Sequence, residues 1–131
     1  MELKLYAHTT IGDLKKQFSD YFPFLKLDFF MQGHKKGKGT GLKQRVHDDL
    51  HLIDVTGILK EGVYSFNPST TVAALEQSLQ NSHGLPVQVF RRSGDLWIET
   101  IQTDNLSLEK QNAMGAASVS AVRFNIHTLF L

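Results

Sequence analysis

The chain has 131 residues, a net charge of +1, 41% hydrophobic and 21% charged residues, and no cysteine. That length suits a single domain, residues 1–131, with a core large enough to need no staples. Without cysteine there are no disulfides, no thiolate chemistry and no cysteine-ligated zinc. The opening MELKLYAHTT carries no long apolar stretch, so no secretory signal is expected, and no apolar run is long enough to span a membrane. A cytoplasmic setting is the resulting expectation.

In chain order, Glu2 to Tyr6 alternates, with Leu3 and Leu5 on one side, and predicts a first strand. Thr10 with Asp13 three residues on reads as a helix N-cap and near-capping box. The apolar stripe Ile11, Leu14, Phe18, Tyr21, Phe22 then predicts an amphipathic helix, which Pro23 should end. Beyond it the period drops to two. Leu25, Leu27, Phe29 and Met31 alternate with Lys26, Asp28 and Phe30, as a strand with one apolar face requires.

From Gln32 the character changes. The run GHKKGKGTGLKQR holds four glycines, and no acidic residue occurs between Asp28 and Asp48. Asp48-Asp49 reads as a turn, and Leu50 to Val55 as a short strand closed by Gly57. At Gly62 the opening pattern returns with a shift of 61: Leu3 and Leu5 map to Tyr64 and Phe66, Thr10 to Thr71, Leu14 to Leu75, Phe18 to Leu79. A further shift of one brings Leu25 and Leu27 onto Val87 and Val89. His83-Gly84-Leu85-Pro86 should stop the second helix. Two halves, 1–57 and 62–131, therefore share polarity and punctuation, as an internal repeat would.

VQVFRRSGDLWIET predicts a hairpin turning at Ser93-Gly94, which would set Phe90 opposite Trp97, Arg92 opposite Asp95 and Val89 opposite Ile98. Leu106-Ser107 can staple and cap a short helix, LEKQNAM, ended by Gly115. A last strand is expected between Val119 and Leu131. Helices packed on a sheet suggest an α+β two-layer sandwich, ferredoxin-like with an added C-terminal helix and strand; the alternative is a duplicated β-grasp-like unit.

Three features bear on function. Lys35, Lys36, Lys38, Lys43 and Arg45 in the 33–45 loop put five cations beside glycines, where backbone N–H groups can approach a phosphate. A phosphate-bearing ligand or nucleic acid is a sensible partner for such a loop, although its glycine spacing is not that of a P-loop and the net charge is low for a nucleic-acid binder. A solvated connection accounts for the same residues. Second, Phe90 and Trp97, together with Arg92, place large aromatics on a strand face otherwise carrying charges; they form a protein-binding or homodimer patch unless the 107–114 helix folds over them. Third, His47 and His51 stand four apart, the spacing of two metal ligands on a helix face, which would suit a metal-dependent hydrolase. No glutamate completes an H-E-x-x-H motif and no third ligand is signalled, so no metal is expected. With no G-x-S-x-G nucleophile elbow and no cofactor motif either, the expectation is a non-catalytic interaction or assembly domain without a cofactor.

Overall fold

The computed structural model describes the backbone of residues 1–32 and 43–129, and the side chains of 1–29 and 46–121. It is a small mixed α/β protein with two antiparallel sheets and four helices among the described residues. In order these are β1 (Glu2–Leu5), α1 (Ile11–Tyr21), β2 (Leu25–Gln32), β3 (Lys43–Arg45), α2 (Leu52–Thr56), β4 (Gly62–Ser65), α3 (Val72–His83), β5 (Val87–Ser93), β6 (Leu96–Glu99) and α4 (Leu108–Leu129), with a 3₁₀ turn at Ile101–Thr103. No described helix is long and apolar enough to cross a membrane.

Helices α1 and α3 form where their stripes and caps place them. The Thr10 hydroxyl accepts from the Asp13 N–H at 3.0 Å, and the Asp13 carboxylate accepts from the Thr10 N–H at 3.3 Å, closing a capping box. Thr71 caps α3 through the Ala74 N–H at 3.1 Å, with no carboxylate at Ala74 to close the box. α1 ends ahead of Pro23, and α3 ends at Gly84, whose φ of +72° suits a residue without Cβ. Ile11, Leu14 and Phe18 of α1 and Val72, Leu75 and Leu79 of α3 meet Leu3, Leu5, Leu25, Leu27, Phe29 and Val89 of the strands in one buried cluster. Full burial of each such side chain stabilises by about 1.5–3 kcal/mol.

The pairing crosses between the halves. β1 pairs β4 antiparallel with Leu3 opposite Tyr64, and β2 pairs β5 antiparallel with Leu27 opposite Val89. These are the very positions that correspond in the sequence, so a two-fold axis passing between the members of both pairs would exchange the halves. β3 and β6 flank the larger sheet, ordered β3-β2-β5-β6. The loop bonds correspond as well. Ile11 and Gly12 donate to the carbonyls of Leu50 and Asp48; Val72 and Ala73 donate to those of Leu106 and Asp104. Leu52 donates to Thr9, and Leu108 to Thr70.

Every described strand pair is antiparallel, as the expected sandwich allows. Several other expectations are corrected. The first strand of each half lies in a different sheet from the second, so two sheets stand where the ferredoxin-like expectation had one. Residues Leu52–Thr56 are helical rather than a strand: the Asp54 carboxylate accepts from the His51 N–H at 3.1 Å, and Gly57 (φ +70°) receives the chain at the end. The β5–β6 loop is Gly94-Asp95, one residue later than expected, because Gly94 takes the positive φ (+61°) at the first loop position, as a type II′ turn needs. Arg92 thus opposes Trp97 and Phe90 opposes Glu99. Finally, Gly115 does not end a helix. It lies inside α4, which runs as helix through residues 119–129 of the stretch expected as a last strand. A Cβ there would sit 2.9 Å from Phe24 Cβ and 3.0 Å from its carbonyl oxygen, so close packing on Phe24, not a helix stop, explains the glycine.

Candidate functional site

Alternation divides β2, β5 and β6 between two faces. Leu25, Leu27, Phe29, Val87 and Val89 face the core cluster. Lys26, Asp28, Gln88, Phe90, Arg92, Trp97 and Glu99 share the opposite face, since Lys26 opposes Phe90, Asp28 opposes Gln88 and Arg92 opposes Trp97. A register shift of two residues in the hairpin leaves this assignment unchanged, because side chains alternate with period two. Phe90 and Trp97 therefore share a face as expected, in diagonal rather than direct opposition.

Cations gather over these rings. Lys26 Nζ lies 5.6 Å from the Phe90 ring centre and 5.0 Å from that of Trp97. The Arg92 guanidinium carbon lies 5.2 Å from Trp97. Both separations from the indole fall within cation–π range. Phe90 and Trp97 are half-buried, and neither belongs to the core cluster or to the partly buried apolar residues packed on it. α4 instead lies toward the core-facing side, with Gly115 close to Arg91, and reaches the strands through backbone at the hairpin end: Asn112 accepts from the Phe24 N–H at 2.9 Å, while the Ser118 hydroxyl accepts from the Gly94 N–H and donates to the Arg92 carbonyl, both at 3.1 Å.

Behind the rings lies a buried carboxylate. Asp28, 1% exposed, meets Lys15 Nζ at 3.1 Å and Lys26 Nζ at 3.6 Å. Lys15 also reaches Asp48 at 2.8 Å. Partial burial pushes the Lys15 pKa down, but its hydrogen bonds to Asp48 and Asp28 and their charges outweigh that and raise it above the ordinary 10.5. Asp28 thereby holds Lys26 over the aromatic rings. Neither Lys26 nor Asp28 could be placed with Phe90 from sequence, because the β2–β5 pairing is long-range. Only their alternation with Leu25 and Leu27 marked the face on which they stand.

The other sequence candidates fare differently. Lys35, Lys36 and Lys38 lie outside the described residues, and Lys43 and Arg45 are described only as backbone of β3. His47 precedes the 48–49 turn and His51 caps α2, so they do not share a helix face. The His51 ring meets His8 edge-on at 5.6 Å and Asp54 at 3.4 Å. Among the described residues no three His, Asp or Glu side chains are grouped to hold a metal ion. Chemically, the Lys26–Phe90–Trp97–Arg92 face can bind by burying ring area and exchanging water for cation contacts. No family model, curated protein or solved structure matches this chain.

Proposed function

We propose that the chain is a non-catalytic interaction domain that binds a protein partner, or a second copy of itself, through the face bearing Lys26, Phe90, Arg92 and Trp97. The observation that carries this reading is the position of the aromatic pair. Two large rings lie outside the core cluster, on a sheet face, with two cations within 5.2 Å of the indole centre. Aromatic and arginine side chains on one patch are the residue types that dominate binding energy at interfaces.

We further infer that the two halves are a duplicated βαββα unit fused in one chain, the reading closer to the duplicated-unit alternative than to the ferredoxin-like one. Its support is the equivalence of Leu3 with Tyr64 and of Leu27 with Val89, each pair meeting its own counterpart, together with the matching loop bonds of Leu50 and Leu106.

Trp97 is the one tryptophan in the chain, which makes the interaction reading directly measurable. Sedimentation over a concentration series, with acrylamide quenching of Trp97 fluorescence in parallel, should show association accompanied by ring protection. Trp97→Ala should abolish association while leaving the helical signal intact. A protein that stays monomeric at every concentration, with Trp97 shielded throughout, would remove the proposal.

A further inference from the structure

The two halves differ where the paired strands run into the following loop, and there a cavity opens. In the first half the core-facing Phe29 (1% exposed) stands beside Val46 (4%), whose N–H donates to the Phe29 carbonyl at 3.1 Å. The pairing registers carry Phe29 onto Arg91 and Val46 onto Ile98, which oppose each other on β5 and β6. An aromatic core position has become a guanidinium. One residue, His47, separates Val46 from Asp48, whereas five separate Ile98 from Asp104. The added residues form the 3₁₀ turn and supply Glu99, Ile101 and Gln102. Together with Arg91, Ile98 and Thr103 they line a cavity of about 350 Å³. A third exchange lies behind it: the loop bonds carry Val55, packed on the core, onto the fully buried Gln111, which donates to the carbonyl and hydroxyl of Thr103 at 2.6 and 2.8 Å. These correspondences are positional and hold whether or not the halves share an ancestor.

Two buried polar atoms lack partners among the described residues: Nε of Arg91, which lines the cavity, and Oε1 of Gln111, whose amide donates to the lining residue Thr103. A buried donor on a permanently charged group is costly to leave unpaired, and native proteins seldom do so without a reason. The volume falls at the small end of ligand sites, and two isoleucines beside a few polar groups is the lining such sites have. Arg91 offers a planar fork suited to a carboxylate. A planar fork beside two isoleucines favours a carboxylate that carries an apolar tail over inorganic phosphate, which has none to bury. We infer that this cavity binds a small molecule through a single carboxylate held by Arg91, with Ile98 and Ile101 against its apolar part. Free amino acids belong to this class.

The test is an NMR titration of the whole chain, reading the arginine Nε–H region and the backbone amides. The probes are sodium propionate, L-leucine and inorganic phosphate at constant ionic strength, each with wild type and Arg91→Met. Saturable shifts of the Arg91 Nε–H and of the Gln102 and Thr103 amides are expected with a carboxylate. In Arg91→Met its affinity should fall roughly 10- to 100-fold, the loss expected for a hydrogen bond to a charged group. Unliganded Arg91→Met should melt at or above the wild-type temperature, because the unpaired guanidinium is gone. Three results would overturn the inference: no saturable shift with either carboxylate, phosphate binding as tightly as propionate, or a lower melting temperature for Arg91→Met, which would make Arg91 a structural residue.

Discussion

At the scale of single residues, Gly115 and Arg91 meet at one point. Arg91 Cγ lies 3.3 Å from where a Gly115 Cβ would be, and Phe24 is closer still. In an exposed helix interior, Gly→Ala stabilises by about 1 kcal/mol through propensity alone. At position 115 the sign should reverse. The contacts at 2.9 and 3.0 Å involve the Cβ and backbone oxygen of Phe24, which cannot swing aside as a long side chain can. Gly115→Ala should therefore destabilise by about 1–3 kcal/mol, the usual cost of overpacking, and urea denaturation would register it. A neutral or stabilised variant would mean that α4 can move off β2 without loss. From sequence this glycine reads as a helix stop, because its approach to Phe24 spans most of the chain. Arg91 carried a clearer mark: a charge at a strand position in phase with Val87 and Val89 is out of place on a core face.

Among the elements, the two long-capped helices allow an internal comparison. Thr10 and Thr71 hold equivalent N-caps, but only Thr10 has the reciprocal carboxylate of Asp13. Removing an N-cap hydroxyl costs about 1 kcal/mol. Thr71→Ala should show that loss by thermal or chemical denaturation. Thr10→Ala should exceed it, since the Asp13 carboxylate then loses the geometry that closes the box; equal losses would show that the box adds nothing here. Both caps were legible in the sequence because capping is settled within four residues. The α2 segment was not, since five residues of Leu, Ile, Asp, Val and Thr suit a strand or one helical turn equally well. What decides it is the tie of Leu52 N–H to the Thr9 carbonyl at 2.9 Å, a partner far along the chain.

For the whole molecule, the governing fact is that each half completes the other's sheets. β1 and β2 of the first half pair with β4 and β5 of the second, and Leu3, Leu27, Leu75 and Val89 share one buried cluster. A half expressed alone would leave its first strand without a partner, one edge of its second strand bare and its core open to water, so neither 1–61 nor 62–131 should fold as a monomer. Mixed, the two fragments should recover the dispersed amide spectrum of the intact chain. Fragment 1–61 alone should stay unfolded or self-associate, because both pairings are centred on equivalent residues; a well-dispersed monomeric spectrum from either half would refute the mutual-completion account. Sequence by itself determined the features that depend on near neighbours: the capped helices α1 and α3, the alternating strands, the hairpin face holding Phe90 and Trp97, and the polarity match between halves. Tertiary structure decided what depends on distant partners. It set the halves across two antiparallel sheets, ran α4 through Gly115, placed Lys26 over Trp97 and opened the cavity beside Arg91. The division is physical. Local propensity and periodicity are written within a few residues, whereas strand pairing and close approach are settled by which distant surfaces bury the most apolar area together.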